Sequence, residues 1–380
     1  MRRSDGLTVD TDPDHAYGLV DLTDDPRRAA VAVPAPTLPV RARTRWALEV
    51  AQLAPSIHNT QPWRWYVDAP PEDRAHVELR VDATRHLPAV DPDGRQQEIS
   101  CGCALGALLV GADAAGLAVD VELVPRTRPG ILARVALTNA APPSAVALDR
   151  LSALRRRRSA RGWFTDEAVP TVVRTELERQ ASQHGVTTRE VGTEACERDV
   201  LDHLIALATL RQYEGEDIPA EVKAWTRESG DSRCDGVPAF AWERTSRQTA
   251  DGTLVLRDFA CERKVPGAID SPLIEPYPTL LLLSTPDDGR LAHMTTGLAL
   301  LDLLVAAQRV GFAVGHVNQA IEDRGTRARL ARELQIDGSP QLLLRIGRAA
   351  QPPRVPTPRR SLADVLDPRP RPAAHHCTDQ

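Results

Sequence analysis

The sequence predicts an α+β fold built from two related halves in one chain, and three observations predict it. Laying "CGCALGALLVGADAAGLAVDVEL" (101–123) over "TGLALLDLLVAAQRVGFAVGHVN" (296–318) puts ten of 23 positions on identical residues 195 places apart, among them Gly102, Leu105, Leu108, Ala112 and Gly116. Both copies are preceded by a β-rich stretch, "AHVELRVDA" and "PTLLLLST", and followed by another, "ILARVALTN" and "PQLLLRIG". The 380 residues suffice for two ordinary units, or for one duplicated unit with a shared core around two adjacent central helices.

Taken in order, residues 1–40 are rich in Pro, Asp and Arg and read as a disordered extension. Residues 41–145 form the first half. Its copy of the repeat reads as a buried helix of about four turns, apolar nearly all round, stopped by Gly116 and followed by a short strand. Residues 150–366 form the second half, where Gly311 stops the equivalent helix. An insertion at 212–270 has no counterpart in the first half. It reads as a loop-rich excursion with one short helix around Glu221 to Arg227, and its Trp225, Phe240 and Trp242 need something to cover. A lid and a peripheral packing flap are the two readings. Residues 367–380, with "HHCTDQ" at their end, read as a disordered tail.

Composition excludes several classes of function. A hydrophobic content of 42% supports a globular core, and a formal charge of -5 argues against a general nucleic-acid binder, which needs a basic surface to displace counterions. Nowhere do 18 uncharged apolar residues run together, and the amino end lacks a signal-peptide core, so a cytoplasmic protein without a membrane span is expected. Six irregularly placed cysteines make no disulfide framework. Cys101 and Cys103 lie in the helical run and read as packing residues, so no metal site is expected. No G-x-G-x-x-G follows a strand, which removes a separate dinucleotide domain.

Two stretches carry chemistry. "LAPSIHNTQPW" (53–63) breaks a helix-like run at Pro55 and then strings Ser56, His58, Asn59 and Gln61 together before Trp63, a donor and acceptor set suited to a flat, heteroatom-rich ring. In "LRRRRSARGWF" (154–164), Arg157, Ser159 and Arg161 alternate. On an extended segment they share a face and suit a dianionic phosphate, although most such runs are only a solvated basic surface; a phosphopeptide or RNA contact through Arg155 to Arg158 is a third reading. A third basic cluster, Arg359 and Arg360 in "PTPRRSL", follows the last strand.

Pro55, Ser56, Asn59, Gln61, Pro62 and Trp63 resemble the P-S-x-x-N-x-Q-P-W signature of the FMN-dependent nitroreductase family, and "RRSARGWF" resembles that family's R-R-S-x-R-x-F start. In ordinary members both motifs lie in one chain, phosphate motif first, and two chains form an intertwined dimer with FMN at the interface. Here their order is reversed, and each half carries only one of them. The resemblance therefore implies a nitroreductase-like tandem pseudo-dimer, similar to the Acg-like subgroup, with one surviving site between the halves.

Carried over by position, the resemblance implies that Arg157, Ser159 and Arg359 hold the FMN phosphate and that Arg161 lies toward the pyrimidine edge. Pro55, Ser56 and Asn59 would line the ring, with Gly315 and His316 beside the hydride-accepting atom. Gln61, Trp63 and Trp65 read as structural. No catalytic side chain is assigned, because the flavin carries the redox step. The implied activity is hydride transfer from NAD(P)H, a transient co-substrate, through FMN to a nitroaromatic, quinone or other conjugated small-molecule acceptor, or flavin-dependent dehydrogenation. The alternative is a non-catalytic FMN-binding or sequestering protein with a lid over the ring. An internally paired chain reads as a monomer, and a homodimer is compatible with it.

Overall fold

The computed structural model describes residues 32–68, 73–128, 130–162, 164–228, 230–238, 279–350 and 356–367. The first half contains helix α1 (Val40–Ala51), strands β1 (Trp63–Asp68) and β2 (Arg74–Val81), helix α2 (Arg95–Ala114), and strands β3 (Leu117–Leu123) and β4 (Ile131–Asn139). Helix α3 (Ala145–Arg156) leads into the second half. There α4 (Thr171–Ser182), β5 (Thr187–Val191), α5 (Ala195–Glu214) and α6 (Asp217–Ala224) are followed by the two-residue strands β6 (Thr226–Arg227) and β7 (Val237–Pro238). The chain continues through β8 (Thr279–Thr285), α7 (Arg290–Arg309), β9 (Ala313–His316), α8 (Gln319–Glu322), α9 (Arg324–Glu333), β10 (Ser339–Gly347) and α10 (Leu362–Val365).

The duplication seen in the sequence recurs in the topology. One antiparallel sheet runs β1-β2-β4-β3 and the other β5-β8-β10-β9, the same order with each strand replaced by its counterpart. Helices α2 and α7 lie side by side between them. A Cβ built at Gly102 would meet the Met294 carbonyl and sit 2.9 Å from the Gly297 Cα. One built at Gly297 would meet the Ile99 carbonyl and sit 2.6 Å from the Gly102 Cα. Neither site has room for any side chain, so both glycines are fixed by close helix approach. Glu98 touches His293 and Gly106 faces Leu301, so residues at one helical face meet their own equivalents 195 positions on. Self-contact repeated at 98, 102 and 106 places a pseudo-two-fold axis along two helices running in the same direction.

The expected four-turn helix starts earlier than its apolar run: α2 opens at Arg95, where a polar turn is held by the buried Asp91 carboxylate accepting from the Gln96 and Gln97 amides at 3.1 and 2.8 Å. Gly116 and Gly311 end the two helices with φ of 67° and 79°. Sheet burial differs between halves. Strand β2 leaves Arg74, His76 and Arg80 exposed, whereas its counterpart β8 is buried throughout, because Leu280 and Leu282 pack on α5, α8 and α9 while Leu281 and Leu283 face the central helices. Helix α7 is long and apolar enough to cross a membrane, but 78% of its most apolar stretch is buried inside this fold.

Two expectations about the ends change. Val33 packs on the core and Val40 opens α1, so the ordered chain begins before residue 41. At the other end Asp367 donates from its amide to the Trp65 carbonyl at 2.8 Å and Leu366 bridges Trp65, so second-half chain extends the first sheet at its β1 edge. The helix expected around Glu221 to Arg227 occupies Asp217–Ala224 instead, ending where Trp225 and a short ribbon begin. Phe240 and Trp242 lie outside the described residues, as do 1–31 and 368–380.

Candidate functional site

The stretch 55–61 is a turn held under backbone strain. His58, Asn59 and Gln61 all have positive φ, 44°, 55° and 52°, a region that costs an L-residue about 1–2 kcal/mol. Polar side chains of the motif hold it there. Ser56 Oγ accepts from the Gln61 amide at 2.9 Å, and Gln61 Nε2 donates to the Cys234 carbonyl at 2.8 Å while its Oε1 accepts from the Arg360 amide at 2.8 Å. Asn59 Nδ2 donates to the carbonyls of Gly236 and Pro358 at 2.9 and 3.1 Å, and its Oδ1 accepts from Arg359 Nη1 at 2.8 Å. Trp63 and Trp65 are fully buried below, Trp63 donating to Gln52 at 2.9 Å. The turn is thus clasped by two second-half segments, 234–236 and 358–360.

Beside this turn lies a cleft open at its mouth to solvent. The first half lines it with Pro55, Ser56, Ile57 and His58 from the turn and with Gln96, Ile99, Ser100 and Cys103 from α2. The second half contributes Ser159, Ala160 and Arg161, Leu300 from α7, His316 from β9, Asn318, Gln319 and Glu322 around α8, and Leu342. Ile57, Ile99, Leu300 and Leu342 make apolar walls, a proportion typical of small-molecule pockets.

The segment after α3 reaches the cleft by adding to a sheet edge. The Ala160 amide donates to the Val314 carbonyl at 2.9 Å and Ser159 bridges Val314. Arg157 caps α3 and is buried, only 6% exposed. Its Nη2 reaches the Leu53 carbonyl at a long 3.4 Å, while Nε and Nη1 have no hydrogen-bond partner among the described residues. Burial lowers its pKa to about 10, with Arg158 adding to the effect and the nearby Cys103 thiol opposing it. A buried cation short of acceptors is costly and marks a place for an anion.

His316 lies in the same positive field. Burial first, then the charges of Arg161, Arg157 and Arg345, push its pKa down to about 4, so the ring is neutral near pH 7. Arg345 is fully buried in β10, donates to the Gly162 carbonyl at 2.8 Å and stacks on Phe164 at 4.6 Å. Glu322 is the one carboxylate lining the cleft among the described residues, and it accepts from Gln212 at 2.8 Å. Cys103 is a buried thiol raised to about 12 by burial, which makes it inert as a nucleophile.

Pro55, Ser56, Ser159, Arg161 and His316 therefore meet in one cleft, with Arg157 buried near its Cys103 wall. Asn59 and Arg359 are absent from the lining and bond each other in the turn clasp. Gly315 is also off the lining; its Cα backs onto the Ala160 carbonyl and Arg345, 2.7 and 2.8 Å from where a Cβ would be. Arg360 pairs with Asp82 at 3.4 Å.

Against known proteins, no family model matches the chain. A Mycobacterium tuberculosis protein with the provisional name NAD(P)H nitroreductase is 31% identical over 331 residues, covering 85% of this chain and 90% of the relative. The chain belongs to the NAD(P)H nitroreductase family. A second M. tuberculosis relative, uncharacterised, is 30% identical over 336 residues and 93% of its length. Nitroreductases solved with bound FMN from Bacteroides fragilis and Desulfitobacterium hafniense cover 55% of this chain and 91% and 94% of their own, at 14% and 13% identity and TM-scores of 0.33 and 0.34.

The family motifs did not point to Arg345, Glu322 or Gln96. Arg345 left a signal, a lone arginine inside the apolar strand "QLLLRIG"; the other two became site residues only because α2 and α8 line the same cleft.

Proposed function

We propose that this nitroreductase-family chain is an FMN-dependent NAD(P)H oxidoreductase acting on a nitroaromatic, quinone or related conjugated acceptor. The observation that carries the reading is the seam cleft, lined from both halves and backed by the buried, under-bonded Arg157. That donor set fits FMN: a cation and the Ser159 hydroxyl for the phosphate, apolar walls for the ring, and Arg161 on the lining. Bound FMN would supply the two-electron centre that takes hydride from nicotinamide and returns it to the acceptor. Ile57, Ile99, Leu300 and Leu342 would shield a bound ring from water. Arg161 and Arg345 would provide fixed positive charge near a group that gains negative charge on reduction. Ser56 Oγ already accepts from Gln61, which leaves its proton to donate into the cleft. By the same reading the two halves stand for the two subunits of a dimeric relative, and the chain works as a monomer.

The described part of the insertion packs Val222, Trp225 and Val237 with Leu87 and Val90 and contributes no residue to the cleft lining. The test is an absorbance spectrum of the purified chain followed by anaerobic addition of NADPH. A yellow protein that bleaches supports the reading. A colourless protein that fails to retain added FMN overturns it.

A further inference from the structure

His316 stands among the arginines of the cleft. Its ring lines the cavity, and neither ring nitrogen has a hydrogen-bond partner among the described residues. Its backbone is fixed: β9 pairs with β10 through His316 opposite Leu344, and Gly315 is wedged against Ala160 and Arg345. The imidazole therefore cannot withdraw by shifting the strand.

The charges around it come from four directions. The segment after α3 brings Arg157 and Arg161, β10 brings Arg345, α8 brings Glu322 to the cavity wall, and α2 brings the un-ionised Cys103 thiol. Of these, Glu322 is already held by Gln212. Three guanidinium groups against one carboxylate leave the cleft positive, and burial first, with that balance second, keeps the imidazole neutral. A dianion entering beside Arg157 and Arg161 cancels that positive excess and removes the repulsion that disfavours a charged ring.

We propose that His316 is the proton carrier of the cleft, taking one proton from solvent onto its free ring nitrogen when negative charge enters. The step is a simple protonation with no bond broken in the ligand. It rests on the anion-binding part of the functional reading and not on the identity of the group that brings the charge. The carried proton would then lie beside any atom in the cleft that gains electrons, where reduction of a quinone or nitro group needs one.

The sign follows from linkage. His316 titrates near 4 in the free protein, and an anion raises that value. Between the two values binding takes up a proton, so affinity for the anion falls as pH rises through the bound-state pKa, by up to about tenfold per pH unit. Sulfate is the probe, because it stays a dianion across the range. Calorimetry of the full chain with sulfate at about pH 5, repeated in buffers of different ionisation enthalpy, should give an uptake of about half a proton or more per sulfate bound. His316→Gln should bind sulfate with no proton uptake and a flat pH profile. Nuclear magnetic resonance of the ring, assigned by its loss in H316Q, gives the wild-type pKa directly. Sulfate that binds with no uptake and no change in the His316 titration overturns the proton-carrier role while leaving the anion cleft standing. No sulfate binding at any pH overturns both.

Discussion

The two halves share a sheet order and a central helix, yet they differ in the links that lead into their first strands. In the first half residues 52–62 join α1 to β1, and they build the strained turn with positive φ at His58, Asn59 and Gln61. In the second half residues 183–186 make the equivalent link from α4 to β5, too short for any such turn. The exchange runs the other way after α3, where Ser159 to Arg161 lie along β9 and put Arg157 and Arg161 near the cleft. What duplicates is what the axis fixes: Gly102 and Gly297 cannot change without separating two packed helices. What diverges is the links between elements, which the axis does not constrain. One cleft is complete because each half kept a different link.

Breaking the shared part should have the largest effect. Gly297→Leu would drive a side chain into Ile99 and Gly102, and it should cost more than about 4 kcal/mol or prevent folding, as read by denaturant unfolding. Gly215→Ala, with nothing within 4 Å of the added Cβ, should stay within about 0.5 kcal/mol. Next comes the second half's gift to the cleft. Arg157→Met should weaken anion or FMN binding by about 30- to 100-fold, the worth of charge-assisted hydrogen bonds. Without ligand the same change should raise the melting temperature, because a buried, under-bonded cation is removed. An unloaded variant no more stable than wild type would show that Arg157 is satisfied by water and is not held in reserve.

The first half's gift is tested by Gln61→Ala. It removes bonds to Cys234 and Arg360, should cost about 2 kcal/mol, and should speed proteolysis within 217–238. Unchanged proteolysis would mean that the insertion is anchored by Asp235, with Arg227 and Arg85 at 2.7 and 2.9 Å, and not by the turn. The smallest effect separates strain that serves the cleft from strain that does not. Gln335 follows α9 with φ 50°, and the Ile336 and Gln335 amides donate back to Ala331 and Arg332 in a Schellman cap. Gln335→Gly should stabilise by about 0.5–1 kcal/mol and leave ligand binding untouched.

Much of the fold was legible because helix and strand leave periodic marks. The repeat at 101 and 296 located both central helices, and the four β-rich stretches around them became β2, β4, β8 and β10. The start of α2 was hidden, since Arg95 to Gln97 are polar yet buried, held by Asp91 and Gln341, contacts no pattern announces. The site was legible as residue types and only partly as roles. Asn59 and Arg359 look like ligand contacts in a one-dimensional motif, and in three dimensions they also bond each other, a contact 300 residues apart that no local pattern announces.

The sequence by itself determined that there would be two equivalent helices with small residues between them, since apolar period and glycine position are local properties of the chain. It also determined that one half would carry the ring-type motif and the other the arginine motif. Only the tertiary structure decided that Arg157, Arg161 and Arg345 would surround His316 without enough carboxylate to balance them. Net field at a point is a sum over chain segments from four different elements, and no single stretch of sequence contains that sum.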